Sequence, residues 1–253
     1  MKLLKILVGC ILCFCASGVF AGTIDPSTPD NRYIEYGKDF NYVVSVCGNN
    51  QQDMMFCGSA VAIDDNHFLT AAHVVKDCKV CYITVKDKKI LAKKVIVHKD
   101  YSEETFGIAD IALGYVEEKI GLDFYPKLYT LSDEVGKISC ISGYGLTGTF
   151  HTGAVLSDHK KRAGSNFIDF IDRDLLVCTP STRSSDRYTS LEFLIASGDS
   201  GGGLFIDNKL AGINSCLMCV GKKSPRSTYG EESGHTRVSK FVDWINEHKT
   251  KVD

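Results

Sequence analysis

The chain reads as an all-β protein: two packed antiparallel six-stranded β-barrels followed by a C-terminal α-helix. Three observations predict this. Short β-branched segments of period 2 recur through most of the 253 residues, separated by turn residues. They fall into two sets, on either side of a polar connector at 119–136 that carries Gly121 and Pro126. The clear helical period comes only after residue 236.

Taken in order, the first residues have the pattern of an export signal. Lys2 and Lys5 precede the uncharged apolar run Ile6 to Phe14, and Val19-Phe20-Ala21 supplies the small or aliphatic positions that a signal peptidase reads. Cleavage is expected after Ala21, and the run is too short to span a bilayer. Leu7-Val8-Gly9-Cys10 offers a rival reading as a bacterial lipobox. The expected location is secreted or periplasmic, with no membrane attachment after signal removal.

Residues 22–42 are polar and turn-rich and read as a surface arm. The first barrel is expected over 43–118, from strands Val43 to Cys47, Ser59 to Ile63, His67 to Ala71, Cys81 to Val85, Ile90 to Val97 and Ile108 to Tyr115. The turn Asp64-Asp65-Asn66 joins the second of these to the third. The second barrel and the helix are expected over 137–253. Its strands are Ile138 to Tyr144, Gly153 to Leu156, Phe167 to Ile171, Leu175 to Thr179, Leu191 to Ile195, Gly203 to Ile206 and Leu210 to Asn214. The polar stretch Ser181 to Tyr188 reads as a surface loop. In the final segment Val238, Phe241, Val242 and Ile245 fall at i, i+3, i+4 and i+7, with Ser239 placed to cap the helix.

Charge excludes little but points away from nucleic acid. The formal net charge is −2, and loss of Lys2 and Lys5 makes it more negative. Removing the signal also removes Cys10, Cys13 and Cys15 and leaves Cys47, Cys57, Cys78, Cys81, Cys140, Cys178, Cys216 and Cys219. An even number in an exported chain predicts disulfides. The pairs Cys78/Cys81 and Cys216/Cys219 have C-x-x-C spacing, which leaves a zinc or redox site as a further reading. The favoured expectation is disulfides, with no metal and no cofactor.

The chemistry is concentrated in Gly198-Asp199-Ser200-Gly201-Gly202-Gly203. Glycines around a serine let a substrate approach the backbone closely. Such a turn can aim the N–H groups of Gly198 and Ser200 at one developing oxyanion. A serine hydroxyl needs a base, and the base needs an orienting carboxylate. Thr70-Ala71-Ala72-His73 and Ala109-Asp110-Ile111-Ala112-Leu113 supply them upstream. Asp110 lies among apolar residues, where an unpaired acid is costly. Of the other histidines, His67, His98 and His159 lie beside a turn or lysines and read as exposed.

These three motifs, in the order His, Asp, Ser, resemble those of the trypsin/chymotrypsin-like serine endopeptidases, which carry TAAH, DIAL and GDSGG. The resemblance runs from about Val43 to the C-terminus, and Ser142-Gly143-Tyr144-Gly145 resembles the family's SGWG. It implies that His73, Asp110 and Ser200 form a triad, that Gly198 and Ser200 form the oxyanion hole, and that Ser215 supports Asp110. The implied partner is a polypeptide substrate.

Animal members also carry an activation site whose new amino terminus pairs with the aspartate before the serine. That aspartate is Asp199 here, but the Ile-Val-Gly-Gly site is missing, so the partner of Asp199 stays open. The specificity pocket implied by alignment holds Leu194, Cys216, Leu217 and His235. Leu194 stands where trypsin has aspartate, so a basic P1 residue is not expected, although Glu192 lies close enough to supply a carboxylate. A medium apolar P1 comes first and an acidic or polar one, through His235, second. The family's bridge beside the histidine implies Cys57–Cys78, with Cys47–Cys57 as rival. The contrasting reading is a catalytically silent homologue that binds a protein partner, with Leu217 blocking the groove.

Overall fold

A computed structural model describes residues 22–105, 107–156, 158–219 and 225–250. The expected export signal lies outside the described residues. The described chain begins with β1 (Thr23–Ile24) and α1 (Asp30–Gly37). There follow β2 (Val43–Asn50), β3 (Met55–Ala62), β4 (His67–Thr70), the one-turn helix α2 (Ala72–Val75), β5 (Cys78–Val85), β6 (Lys88–Val97) and β7 (Ala112–Val116).

The strands β2 to β7 close into a six-stranded barrel in the order β2-β3-β4-β7-β6-β5. Val44, Val46, Ala60, Ala62, Phe68 and Ile83 are buried, and β2 pairs with both β3 and β5, so this sheet has no free edge.

The second half contains β8 (Ile138–Gly143), β9 (Thr147–Thr149), β10 (Gly153–Leu156), β11 (Arg162–Phe167), β12 (Phe170–Asp172), β13 (Leu175–Cys178) and β14 (Phe193–Leu194). It continues with β15 (Gly203–Ile206), β16 (Lys209–Cys219) and β17 (Glu231–Arg237). A 3-10 turn (Val238–Lys240) then leads into α3 (Val242–Thr250).

The fold is the expected mostly-β double barrel with a C-terminal helix, but the second half is built differently from the first. A seven-stranded sheet, β11-β8-β15-β16-β17-β13-β12, is completed by a four-stranded one, β10-β9-β1-β14. Thus β1 enters the second half as a strand, parallel to β9 and antiparallel to β14.

That arrangement corrects the reading of residues 22–42 as a surface arm. Thr23, Ile24 and Asp25 are buried, and α1 lies on β11. Arg162, fully buried, takes Asp30 of α1 in a two-pronged pair at 2.6 and 2.7 Å and Asp158 in another at 2.9 and 2.7 Å. Asp25 accepts from Ser27, Tyr188 and Arg183, which also draws the polar loop 181–188 onto the arm. A two-residue strand of ordinary sequence gives no pattern signal, and charged groups with distant partners look like surface until those partners are known.

At the other end, Val238, Phe241 and Ile245 pack into the core of the first barrel, as their spacing predicts. Ser239 does not cap the helix. Its hydroxyl donates to Glu134 Oε1 at 2.9 Å. His98 is also not exposed: it is buried against the rings of Phe241 and Trp244, both 5.0 Å away.

The disulfide is Cys47–Cys57, not Cys57–Cys78. Cys47 and Cys57 stand directly opposite each other in the β2–β3 ladder, whereas Cys78 pairs in register with Asn50. Cys78, Cys81, Cys140 and Cys178 are free thiols, so the even count did not translate into a full set of bridges. Among the described residues no three His, Cys, Asp or Glu side chains gather in a metal-binding cluster.

Candidate active site

His73 sits in α2, a single turn pinned by buried Ala72 and Val75 between β4 and β5. Asp110 lies just before β7. The preceding Ala109 has φ +48°, a left-handed conformation that costs an alanine on the order of 1–2 kcal/mol. This bend brings the carboxylate of Asp110 under α2. Its Oδ1 accepts the backbone N–H of His73 at 2.9 Å, and its Oδ2 lies 2.8 Å from His73 Nδ1.

Two elements of the second half hold the same residue. The β16–β17 ladder breaks register between Asn214 and Cys216. Ser215, at the break, donates to Asp110 Oδ2 at 2.6 Å. Thr236 Oγ1 donates to the backbone carbonyl of Asp110 at 2.9 Å.

The electrostatics follow from this geometry. Burial raises the pKa of Asp110, but the charge and hydrogen bond of His73, with the Ser215 hydroxyl, outweigh it and leave it below the usual carboxylate value. Burial lowers the pKa of His73, and Asp110 more than offsets this, so it ends above the ordinary imidazole value. The side chain of Asp110 is 7 % exposed and that of His73 35 %, so the acid is sealed while the imidazole remains accessible. With its Nδ1–H directed to Asp110, the neutral ring has its Nε2 lone pair available as a base.

Ser200 lies on the turn between β14 and β15. Gly198 and Gly201 take φ +94° and +87°. A Cβ on Gly201 would stand 2.1 Å from both the Ser59 carbonyl oxygen and Thr70 Oγ1, so this position accepts glycine only. The turn is docked on the first barrel just ahead of His73. Ser59 N–H donates to the Ser200 carbonyl at 2.8 Å, and Ser59 Oγ donates to the Gly198 carbonyl at 2.9 Å. These contacts occupy the carbonyls. Among the described residues, neither the Gly198 N–H nor the Ser200 N–H donates to another group. Among the described residues Ser200 Oγ makes no hydrogen bond either.

Asp199, fully buried, braces the turn from behind. Its Oδ2 accepts from Gly22 N–H at 2.7 Å and Ala196 N–H at 2.8 Å, and its Oδ1 from Gly145 N–H at 2.7 Å. Burial pushes its pKa up to about 7 despite these donors. Sequence reasoning left this partner open and passed over Ser59, Asn214 and Thr236. Asn214 Nδ2 donates to the Asp199 and Ser142 carbonyls. A single serine or threonine inside a strand gives no local sign that it ties the two halves together, as Ser59 and Thr236 do, nor an asparagine that it braces a turn.

The residues aligned with a specificity pocket are less uniform. Leu194 is buried in β14 opposite Thr23 of β1. Cys216 and Leu217 are half-buried on β16, and Leu217 packs against the core of the second half. Buried His235 holds Asn214 Oδ1 at 2.8 Å and Ser233 Oγ at 2.9 Å, and burial pulls its pKa down to about 3. Glu192 is buried and committed elsewhere: it accepts from Asn166 Nδ2, Ser181 N–H, Thr189 N–H and Thr189 Oγ1.

The chain has clear relatives. A family model described as Trypsin matches residues 34–245. Chymotrypsin of Phaedon cochleariae is 27 % identical over 217 residues, covering 76 % of this chain and 71 % of the relative. Among solved structures, HL collagenase superposes with a TM-score of 0.67 at 19 % identity, covering 93 % of this chain and 99 % of its own. Neuropsin, a serine protease expressed in the limbic system of mouse brain, gives 0.65 at 19 %, covering 83 % and 95 %. An inactivated protease paralogue of the scabies mite gives 0.64 at 18 %, covering 85 % and 97 %. At these identities the structures establish the fold alone.

Proposed function

The chain belongs to the trypsin family of serine proteases, and on that premise we propose that it is an exported endopeptidase working through an acyl-enzyme, with His73, Asp110 and Ser200 as its triad. The observation that carries this reading is the arrangement around Asp110. One sealed carboxylate holds both the ring and the backbone of His73, while Ser215 fixes it from the opposite half of the molecule.

In this reading Ser200 Oγ attacks the scissile carbonyl carbon as His73 Nε2 takes its proton. The negative oxygen is held by the N–H groups of Gly198 and Ser200. His73 then gives the proton to the leaving amine, and the C–N bond breaks. Water, deprotonated by the same imidazole, hydrolyses the ester and restores Ser200. Asp110 keeps the imidazole in one tautomer and stabilises its charged form.

The P1 side chain is proposed to be apolar and of medium size. A basic side chain buried without a carboxylate costs several kcal/mol. Leu194 supplies none, and the carboxylate of Glu192 is engaged by four donors of the 166–189 region. Neutral, buried His235 offers no charge to an acidic P1 side chain. Export is supported by the signal-like residues 1–21, and among the described residues no helix is long and apolar enough to cross a membrane.

Labelling with a fluorophosphonate, repeated on Ser200→Ala, tests the nucleophile. Cleavage-site profiling on a peptide library tests specificity. Absence of labelling on folded protein would favour the silent binding module instead. Preferred cleavage after Lys or Arg would overturn the apolar pocket.

A further inference from the structure

Asn214 holds the Ser200 turn with its backbone and its side chain together. Its carbonyl accepts from Gly201 N–H at 2.8 Å, and its N–H donates to the Gly202 carbonyl at 2.8 Å. Its Nδ2 donates to the Ser142 carbonyl at 3.1 Å and the Asp199 carbonyl at 3.2 Å. The fit is close: a Cβ on Gly202 would stand 2.8 Å from Asn214 Nδ2. The next residue, Ser215, carries the bond to Asp110 Oδ2.

The bond to the Asp199 carbonyl bears on the chemistry. That carbonyl and the Ser200 N–H belong to one planar trans peptide unit, so they point in opposite directions. Fixing the carbonyl on Asn214 therefore fixes the direction of the Ser200 N–H, one of the two proposed oxyanion donors.

A carboxamide is nearly symmetric in shape, but its two ends have opposite polarity. Turned over, Asn214 would set Oδ1 against two carbonyl oxygens and lose both side-chain bonds to them. The group at its other end sets the sense. His235 Nδ1 lies 2.8 Å from Asn214 Oδ1, which can only accept, so the ring presents Nδ1–H. The far side of the ring agrees. Ser233 Oγ lies 2.9 Å from His235 Nε2 and 3.2 Å from the Cys178 carbonyl, so the shorter contact gives Nε2 its donor. Ser233, His235 and Asn214 are all fully buried, and burial keeps the ring neutral, its pKa pulled down to about 3. Each bond runs in one direction, Ser233 O–H to Nε2, Nδ1–H to Oδ1 and Nδ2–H to the turn, and each polarises the next.

We propose that His235 is a positioning residue of the nucleophile turn: its Nδ1–H fixes the sense of the Asn214 carboxamide, and the carboxamide aims the Ser200 N–H at the oxyanion. This rests on the serine endopeptidase reading, and it gives His235 a task other than contact with a P1 side chain. An oxyanion donor acts on charge that develops in the transition state, so the effect belongs to kcat more than to KM.

The test compares native protein with His235→Leu, Asn214→Leu, the double variant and His235→Asn. The last places an amide N–H where Nδ1 stands and serves as the rescue. Steady-state kinetics on a peptide chosen by library profiling, fluorophosphonate labelling, thermal midpoints and ¹⁵N NMR of the histidine rings are measured. His235→Leu is expected to lower kcat on the order of 10–10²-fold, with KM changed by about threefold or less. His235→Asn is expected to recover most of that loss. The double variant should lose no more than Asn214→Leu alone, because the two residues act in series. The native ring should show the neutral Nδ1–H tautomer from about pH 5 to about pH 8.

A loss confined to KM would make His235 a wall of the substrate pocket and overturn the proposal. A lowered thermal midpoint with kcat intact would overturn it too, as would losses that multiply in the double variant. Should the leucine variants fail to fold, His235→Asn and the native ring decide: kcat near the native value with Nδ1–H supports the proposal, and a proton on Nε2 overturns it. If folded native protein does not react with the fluorophosphonate, the endopeptidase reading fails on its own. The lock is then judged by NMR, where an Nδ1–H signal that is lost in Asn214→Leu supports it and an unchanged one overturns it.

Discussion

The two halves of this molecule solve the same packing problem in opposite ways. The first is a closed barrel with a continuous apolar interior. Of its few buried polar residues, Ser59, Thr70 and Asp110 lie at the seam with the second half, and His98 packs against the C-terminal segment. The second half is laced with buried polar and charged groups throughout, including Arg162, Glu192, Asp199, Asn214 and His235. The first half thus offers a stiff platform for His73. The second holds Ser200 on a turn braced by amide donors to Asp199. Stability in one half comes from apolar burial, and geometry in the other from polar networks that are weak evidence for stability.

The sharpest way to break this comparison is to remove the chemistry and ask whether either half notices. Ser200→Ala is expected to lower kcat by about 10⁶-fold, leaving roughly 10³–10⁴ over water from binding and the oxyanion donors. The fold should be unchanged, because among the described residues Ser200 Oγ makes no hydrogen bond. Circular dichroism and the thermal midpoint check the second point, and steady-state kinetics the first. A variant that retained activity would move the nucleophile elsewhere.

Next in size is the joint between the halves. Asp110→Asn keeps the shape but offers His73 Nδ1 an amide in place of a carboxylate, and kcat is expected to fall by about 10⁴-fold. The pH profile carries a sign. Asp110 holds the His73 pKa above its ordinary value near 6.5, and the ring must be neutral to act as a base. Activity in the native protein should therefore fall away with acid at a pH above that value. In Asp110→Asn the residual activity should persist to lower pH. An acid limb that stays in place would mean another group controls it.

The same contrast explains what could be read in advance. Short apolar runs bounded by turn residues made the first barrel legible strand by strand, even where β3, β4 and β7 are buried on both faces. The three motifs of the proposed triad were legible because each is short and contiguous. The second half resisted. The strand Glu231–Arg237 is polar along its length, since His235, Ser233 and Thr236 serve partners far away in sequence. The arm at Gly22 to Gly37 looked like surface for the same reason. Asp25 and Asp30 are buried or paired only because Arg183 and Arg162 arrive from more than a hundred residues away. Pairings of that kind leave no local period.

A third prediction probes one such pairing. Glu134 is fully buried and takes Arg237 through two hydrogen bonds of 2.8 Å, with Ser239 on the same carboxylate. Burial raises its pKa, but Arg237 and the other donors outweigh this and leave it below the usual value. A depressed folded pKa contributes stability that is present above the unfolded value and lost as pH falls through the folded one. Glu134→Gln is therefore expected to cost about 2 kcal/mol at neutral pH, because it leaves the partly buried Arg237 facing a neutral amide. The gap should close as the native protein is acidified below the carboxylate range. Urea unfolding at a series of pH values measures this, and a gap independent of pH would mean that lost packing, not charge, sets the cost.

The smallest effect is expected from the covalent link in the first barrel. A loop of this length gives about 3 kcal/mol in the chain-entropy treatment of a disulfide. Cys47 and Cys57 are separated by 10 residues, and they face each other in a hairpin already paired from Val43 with Val61 to Asn49 with Met55. Both strands are also fixed independently, β2 by β5 and β3 by β4. The double variant Cys47→Ala, Cys57→Ala is therefore expected to lose about 2 kcal/mol or less in urea unfolding. Activity should change even less. Cys57 is two residues from Ser59, whose N–H and hydroxyl hold the Ser200 turn, but Ser59 is anchored separately through its carbonyl to Thr70 Oγ1 at 2.7 Å. A large fall in kcat with little loss of stability would show that the disulfide shapes the nucleophile turn through Ser59, and the first barrel would then be less stiff a platform than its closed sheet implies.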